Sequence, residues 1–264
     1  MTAHIERINI PLTSPLIIAA LLFSTAACSN PSAVSTSNNK STTTESKEIS
    51  TSDTATKSTT QTKTSKPDFT TKAIATFDEP WAMTALPIAD SKAPKLLVTQ
   101  KTGELFIVDT ATGNKTKIEG MPTVAYGGQG GLGDIIVSPD FVTSNTVYLS
   151  YAEAGAGADS NKFGAKVIKA TLSGLETATP TLQDITPIWQ QAPKVTGQGH
   201  YSHRLLFSPD GRYLYISSGE RQDKDPAQDM NGNLGKIIRL SPDGNTPTDN
   251  PFTVNELAKQ FWTI

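Results

Sequence analysis

Two histidines in one short segment are the side chains of this sequence best suited to acid–base chemistry. His200 and His203 lie in the stretch Gly-His-Tyr-Ser-His-Arg at positions 199–204, and the third histidine, His4, lies near the N-terminus. Neutral imidazole accepts a proton near pH 7, so His200 is a candidate general base. Two solvated loop histidines without a catalytic task are the alternative. The residue types alone leave both interpretations open.

The histidines directly precede one copy of a repeated sequence unit. Residues 135–140 read Ile-Ile-Val-Ser-Pro-Asp and return 70 residues later as Leu-Leu-Phe-Ser-Pro-Asp at 205–210. A second apolar run follows each copy, at 147–151 and 213–217, and a weaker copy begins at Trp81. Proline fixes φ in a turn and aspartate bonds the backbone that follows it. The unit therefore predicts two strands joined by a Pro-Asp turn.

Short apolar runs bounded by Gly, Pro, Asp and Asn continue from about Phe69, and only 254–261 predicts a helical turn or two. Repeats of about 50 to 70 residues that hold several strands are typical of propeller blades. A β-sandwich is the alternative, but a sandwich does not require one turn at the same strand position. We therefore predict an all-β fold, a β-propeller, with His200 on a loop that enters a blade near the axis. The predicted strands are 96–99, 105–108, 134–137, 147–151, 167–170, 213–216 and 236–240.

The first 27 residues predict an export signal. Arg7 supplies positive charge, and the apolar run at 16–23 is too short to cross a membrane. Cys28, the only cysteine, follows Thr-Ala-Ala and resembles the lipidated cysteine of a bacterial lipobox. Ordinary secretion with a free thiol is the alternative. We expect an exported, periplasmic protein whose lipid anchors it to the outer membrane of a Gram-negative bacterium.

The composition separates a linker from the β-rich part. Of the 38 residues at 29–66, 21 are Ser or Thr and none is aromatic, which predicts disorder. The predicted organisation is thus a signal peptide at 1–27, a lipidated cysteine with its linker at 28–68, and propeller blades at 69–264. The whole chain has 23 basic and 25 acidic residues, a balance that gives no reason to expect a nucleic-acid partner.

Six blocks of the sequence, in order, resemble the soluble PQQ-dependent glucose and aldose sugar dehydrogenases, which form the glucose/sorbosone dehydrogenase family. Residues 200–211 resemble the signature H-x-x-x-R-L-x-F-x-P-D-G, and 127–141 resembles the GGQ-x-GL…PDF block. The other matches are Gly-Glu-Arg at 219–221, Ala-Gln-Asp at 227–229, Gly-Lys-Ile-Ile-Arg-Leu at 235–240 and Asp-Asn-Pro-Phe at 249–252. The collinear agreement runs from about residue 77 to 264.

The resemblance implies a six-bladed propeller that holds PQQ and Ca²⁺ in a central cavity and oxidises aldose sugars at the anomeric carbon. It implies that His200 removes the proton of the anomeric hydroxyl while hydride passes to PQQ, and that Glu220 is the acidic partner of that histidine. An external acceptor then takes the electrons. Cofactor contacts are implied for Gln129, Arg204 and Gln228, although an ion pair of Arg204 that only braces the loop is the alternative.

Two other features could suggest ligand sites. Gly127-Gly128 and Gly130-Gly131 lack the Gly-Lys-Ser/Thr of a nucleotide-binding loop, so we expect them to let the backbone approach the cavity closely. The oxygen ligands of Asp223, Asp225 and Asp229 do not follow the EF-hand order, so no metal ligand is predicted among the residues present.

In the family pattern, further blades follow a segment such as 261–264 and supply the Ca²⁺ ligands and basic contacts to PQQ. The chain is therefore interpreted as a C-terminally truncated member with about three to four blades, and we expect it to lack activity alone. Two alternative functions are a Ca²⁺-dependent lactone hydrolase, active without PQQ, and a non-catalytic cell-surface propeller that binds glycan or protein, for which His200 is replaceable.

Overall fold

A computed structural model describes residues 70–88 and 93–264. In this part, strands and turns dominate, and one helical turn, α1 (Phe141–Ser144), is α-helical. Short 3₁₀ turns occur at Gly157–Asp159, Asp225–Gln228 and Ala258–Gln260. No helix among these residues is long and apolar enough to cross a membrane. The predicted export signal, Cys28 and the linker up to residue 68 lie outside the described residues.

Twelve strands form three antiparallel sheets of four strands each. In every sheet the strands pair in the order in which they occur in the chain, so that consecutive strands are neighbours. Sheet 1 holds β1 (Pro80–Leu86), β2 (Lys95–Gln100), β3 (Glu104–Asp109) and β4 (Lys115–Ile118). Sheet 2 holds β5 (Leu132–Val137), β6 (Thr146–Ala154), β7 (Phe163–Ser173) and β8 (Thr181–Gln190). Sheet 3 holds β9 (Ser202–Phe207), β10 (Leu214–Ser218), β11 (Lys236–Leu240) and β12 (Phe261–Thr263).

This architecture confirms the predicted all-β, propeller-type fold and excludes one sandwich of two sheets. The repeated Ser-Pro-Asp turns join the first and second strands of sheets 2 and 3, and the weaker copy is the first strand of sheet 1. In both turns the serine hydroxyl donates to the aspartate, from Ser138 to Asp140 and from Ser208 to Asp210. The repeat in the sequence is therefore a repeat in structure.

The strands differ from the predicted ones mainly in extent and number. β4, β8 and β12 were not predicted, and β9 begins at Ser202, so His203 and Arg204 lie on the strand and not on the preceding loop. The predicted helical turns at 254–261 are reduced to the 3₁₀ turn at Ala258–Gln260.

The first strand of every sheet contains a β-bulge at the same position. On β1 the register moves from Pro80 opposite Gln100 to Met83 opposite Val98, so three steps on one strand face two on the other. The same shift occurs on β5 and β9. A bulge bends a strand and redirects its side chains. The bulged pairs are Trp81-Ala82, Gly133-Asp134 and His203-Arg204.

A hydroxyl on the second strand ties the bulges of sheets 1 and 2 to the next sheet. Thr99 Oγ1 on β2 accepts from the Ala82 N–H at 3.0 Å and donates to the Gly133 carbonyl of sheet 2 at 2.8 Å. We call Thr99 and its counterpart Ser150 the inter-sheet hydroxyls. Each satisfies a bulge whose ladder bonds are disrupted, and each joins two sheets.

Ser150 makes the equivalent contacts between sheets 2 and 3. Its Oγ accepts from the Asp134 N–H at 2.8 Å and donates to the His203 carbonyl at 2.7 Å. Ser217 holds the same position in sheet 3, where it accepts from the Arg204 N–H at 2.9 Å and from the Ser202 hydroxyl at 2.8 Å.

Apolar side chains fill the space on either side of sheet 2. Leu149 and Ile168 of sheet 2 pack with Leu97 of sheet 1 in one buried cluster. Tyr148 faces the opposite way and meets Phe207 of sheet 3 edge to face, with the ring centroids 5.1 Å apart. This alternation along β6 follows from the two-residue period of a strand and packs sheet 2 against both neighbours.

We expect Ser150→Ala to lower the free energy of unfolding by about 2 to 4 kcal/mol, because it leaves buried polar groups of two sheets without a partner. Ser217→Ala is the matched control. It removes the same hydroxyl where Ser202 and Arg204 are exposed to water, so we expect a loss of about 1 kcal/mol or less. Urea unfolding measures both, and equal losses would contradict the role given to the inter-sheet hydroxyls.

Candidate active site

A cleft of about 370 Å³ lies where the three sheets begin. β1 contributes Trp81, the loop before β5 contributes Gln129, and the segment before β9 contributes His200. Gly219 and Glu220, which directly follow β10, complete the cleft. Residues that are distant in sequence thus meet at one end of the strands. The lining residues are Trp81, Gln129, His200, Tyr201, Ser202, Gly219 and Glu220.

His200 and Glu220 form the central pair of the cleft. The imidazole Nδ1 is hydrogen-bonded to Glu220 Oε1, and the two side chains are 47% and 30% exposed. The hydrogen bond from His200 holds the pKa of Glu220 below its usual value, so the carboxylate is ionised and accepts only. Nδ1 must then carry the proton, which leaves the lone pair on Nε2. The pair is arranged as a general base and the carboxylate that orients it.

The backbone of His200 is held in a left-handed conformation. Its φ is +45°, in a region that non-glycine residues seldom occupy and that clusters at functional sites. Gln129 Oε1 accepts a hydrogen bond from the His200 N–H at 2.8 Å. Gln129, predicted to contact a cofactor, therefore braces the histidine with its amide oxygen.

The glycines beside Gln129 permit this contact. The Gln129 N–H donates to the Gln198 carbonyl at 2.7 Å, which brings two loops together. A Cβ on Gly128 would meet the Gln198 carbonyl oxygen at 2.6 Å, and φ of Gly128 is +54°. The close approach of backbone that the paired glycines predict is thus made to the loop that carries His200.

His203 has a different environment from His200, although only two residues separate them. Its side chain is buried, stacks on Trp81 with the planes 16° apart, and bonds through Nδ1 to Ser150 Oγ at 2.8 Å. Burial lowers the pKa of His203 to about 4. The interpretation of both histidines as solvated loop residues is therefore wrong for His203, which is a neutral core residue above that pH.

Arg204 and Gln228 lie outside the lining of the cleft. Arg204 Nη1 forms an ion pair with the buried Asp134 at 3.4 Å, across the contact between sheets 3 and 2. This is the bracing ion pair that the sequence left as an alternative. Gln228 is exposed at the end of the 3₁₀ turn Asp225–Gln228. For both residues, a cofactor contact stays a prediction.

Two residues of the site had no functional assignment from the sequence. Trp81 is 38% exposed at the wall of the cleft, and the buried Arg221 lies directly after Glu220 and beneath the loop of His200. The adjacency of Arg221 to Glu220 is visible in the sequence, but its burial is not.

A larger hollow, of about 590 Å³, lies at the opposite end of the strands, by the Pro-Asp turns of sheets 2 and 3. Asp140, Asp184, Asp210 and Asp243 border it. Three of them already have a partner: Asp140 bonds Ser138, Asp210 bonds Arg212 and Asp243 bonds Lys169. The smaller cleft is the candidate active site because it contains the ionised carboxylate, the paired imidazole and the strained backbone.

Sheets stacked as successive blades, with a carboxylate-paired histidine where their first strands converge, define a propeller-type protein. Comparison with known proteins gives the family. The family model described as Glucose / Sorbosone dehydrogenase matches residues 77–264. The chain belongs to the glucose/sorbosone dehydrogenase family.

Individual relatives agree with this assignment. The chain is 36% identical over 188 residues to aldose sugar dehydrogenase YliI of Escherichia coli K12, covering 70% of this chain and 47% of that protein. The apo-form crystal structure of the soluble aldose sugar dehydrogenase of E. coli has a TM-score of 0.61 at 35% identity, over 70% of this chain and 50% of the other. The PQQ-bound aldose sugar dehydrogenase of Streptomyces coelicolor has a TM-score of 0.57 at 28% identity, over 69% and 50%. The chain spans about half the length of the curated relatives it matches.

The described cleft does not fit the carboxylates of PQQ. Its ionisable residues apart from the buried Tyr201 are one imidazole and one carboxylate, and no lysine or arginine lines it. Nor do the described residues contain a group of three or more His, Cys, Asp or Glu side chains able to hold a metal ion. The cleft therefore lacks both the cationic side chains that would pair with the carboxylates of PQQ and a cluster of oxygen ligands for Ca²⁺.

We expect His203→Asn to remove a pH-dependent part of the stability. The folded pKa lies below that of the unfolded chain, so unfolding takes up a proton between pH 6.5 and about 4, and stability falls as pH falls through that window. From pH 7.5 to pH 5 this costs the wild type about 2 kcal/mol. The contribution of Glu220 to stability is still present at pH 5. The pKa of Glu220 is lowered in the folded protein, so this contribution is lost only as the pH falls below the usual value of 4.5.

Urea unfolding of the wild type and of His203→Asn at both pH values measures this contribution. Asparagine tolerates the left-handed φ of +46° at this position, so the comparison does not add backbone strain. An equal fall in stability in both proteins between pH 7.5 and pH 5 would contradict the burial of a neutral His203.

Proposed function

We propose that the chain carries the proton-accepting part of an aldose sugar dehydrogenase site, which oxidises the anomeric carbon with PQQ as cofactor. The His200–Glu220 pair in the cleft is the observation that supports this proposal. The proposal concerns the whole protein, because the chain spans about half the length of its curated relatives.

The residues of the cleft account for the removal of a proton. Oxidation of an anomeric hydroxyl takes a proton from oxygen and a hydride from carbon. His200 Nε2 accepts the proton, since Nδ1 is already committed to Glu220. The ionised Glu220 then stabilises the imidazolium that forms, because the two groups carry opposite charges.

The cofactor is proposed from the relatives and not from the cleft. The Streptomyces coelicolor aldose sugar dehydrogenase is described in its PQQ-bound form. Cationic contacts to PQQ, and the ligands of Ca²⁺, would come from residues other than those that line the described cleft. An external electron acceptor completes the proposed reaction.

A chimeric enzyme tests the proposal. Residues 77–264 replace the matched segment of the E. coli aldose sugar dehydrogenase, and aldose oxidation is measured with PQQ, Ca²⁺ and a dye as electron acceptor. We expect His200→Asn to lower turnover by about 10²- to 10⁴-fold, because the proton has no acceptor. Glu220→Gln is expected to lower it on the order of tenfold, since the imidazole loses its orienting charge.

Glu104→Gln is the control for the loss of a carboxylate, because Glu104 pairs with Lys117 at 3.0 Å on the surface of sheet 1. It should leave turnover unchanged. A His200→Asn chimera that oxidises aldoses at the wild-type rate would refute the role of His200 as the proton acceptor, and a chimera without any aldose oxidation would support a non-catalytic binding protein. Lactone hydrolysis by the chain without PQQ would support a hydrolase.

We propose that the protein is exported and held at a membrane by a lipid on Cys28. The apolar run at 16–23 and the small residues before Cys28 support this proposal. We expect the wild type to sediment with membranes and Cys28→Ala to appear in the soluble fraction, because the variant has no thiol to carry the lipid. Partition of Cys28→Ala with the membranes would refute the anchor.

A further inference from the structure

We propose that Arg221 is a positioning residue that sets the orientation of His200 by holding the backbone of residues 197–200. The inference rests on the proposed function, in which His200 accepts the proton. Arg221 does not line the cleft, and it is not one of the site residues predicted from the sequence.

The guanidinium of Arg221 donates hydrogen bonds that join the loop of His200 to sheet 2. Its Nε donates to the Gly199 carbonyl at 2.8 Å and its Nη2 to the Gly197 carbonyl at 2.7 Å. Its Nη1 donates to the Phe163 carbonyl of β7 at 2.7 Å and to Gln191 Oε1 at 3.2 Å, which ties the loop to sheet 2. A guanidinium directs its donors along fixed lines. The bonds to the carbonyls of Gly197, Gly199 and Phe163 therefore fix the directions of these three carbonyls as well as their distances.

The charge of Arg221 is buried without a carboxylate partner among the described residues. Only 5% of the residue is exposed, and it forms none of the ion pairs in the described part of the chain. Carbonyl oxygens and the ring of Tyr201, 3.8 Å from the guanidinium carbon, stabilise the cation. A buried charge is costly unless its bonds are satisfied, so the contacts that hold this cation also hold the loop of His200 against sheet 2.

Arg221 and Glu220 act on His200 from consecutive positions. Glu220 binds the imidazole, while the Arg221 N–H faces the His200 carbonyl at 3.4 Å. φ is +63° at Arg221 and +45° at His200, so the backbone is left-handed on both sides of this contact. Loss of the bonds to Gly197 and Gly199 would let the loop relax and move the imidazole away from the carboxylate.

Lys236 provides a matched control. It is also buried, and its Nζ donates to the carbonyls of Pro226, Ala227 and Leu234 at 2.9, 2.6 and 2.9 Å. The two residues are thus both buried cations satisfied by backbone oxygens in the region of sheet 3. Lys236 holds a segment that does not contact His200, so its loss lowers stability without acting on the imidazole.

The test is the tautomer of His200 in the full chain, without sugar or cofactor. Ring nitrogen shifts from ¹⁵N-labelled histidine report which nitrogen carries the proton. We expect Nδ1–H in the wild type and in Lys236→Met, and a mixture of tautomers in Arg221→Met. Glu220→Gln, which removes the charge that selects Nδ1–H, gives the reference spectrum for the mixture. A wild-type tautomer in Arg221→Met would overturn the proposal.

Arg221→Lys serves if Arg221→Met does not fold. It keeps a cation in place but cannot donate along three fixed directions, so we expect the same mixture of tautomers. The His203 shifts serve as an internal check, because its bond to Ser150 reports that the packing of sheets 2 and 3 is intact. A folded Arg221→Lys with the wild-type tautomer would overturn the proposal.

These outcomes are separate from those of the proposed function. The tautomer measurement does not depend on aldose oxidation. If aldoses are never oxidised, the proposed reaction is refuted but the positioning by Arg221 is not. A wild-type tautomer in the Arg221 variants refutes the positioning while the His200→Asn result stands.

Discussion

The placement of the three sheets depends on a small polar contact, a hydroxyl on the second strand that closes the bulge of its own sheet and bonds the bulge of the next. Thr99 and Ser150 make this contact between sheets 1 and 2 and between sheets 2 and 3. Apolar packing alone favours contact between sheets but does not select one register, since it is not directional. A hydrogen bond to a particular carbonyl is directional, and here it fixes the first strands relative to one another. Trp81, Gln129 and His200 converge in one cleft because these strands are so fixed.

The two histidines show how that arrangement assigns chemistry. His203 lies on the bulge of β9, where its carbonyl accepts a hydrogen bond from the Ser150 hydroxyl. Its ring fills the space beside Gly133, so closely that a Cβ at Gly133 would lie 1.9 Å from the ring. Burial keeps this imidazole neutral. His200 lies just before the strand, half-exposed and beside an ionised carboxylate. Identical side chains three residues apart thus become a packing element and a candidate base, because the strand begins between them.

The sequence predicts the strands that have strong apolar runs and the turns that join them. It misses β4 (Lys-Thr-Lys-Ile), which is half lysine, and β8, which carries Asp184 and Pro187 in its interior, because pairing within the sheet overrides their local preference. In the site, motif resemblance predicts the proximity of His200 and Glu220. The bracing contact of Gln129 and the burial of Arg221 are not predictable from the sequence. Both depend on loops from different sheets, and nothing in the local sequence specifies how these loops meet.

The inter-sheet hydroxyls also govern how the protein comes apart. Each joins only adjacent sheets, so a described sheet is stabilised by its immediate neighbours. Sheet 2 has such a bond on both sides, whereas sheets 1 and 3 have one each among the described residues. Loss of one of these bonds should loosen the two sheets it joins and be visible as early amide hydrogen exchange there. The cleft draws on all three sheets, so its geometry is lost with the first of them, before the fold as a whole has melted.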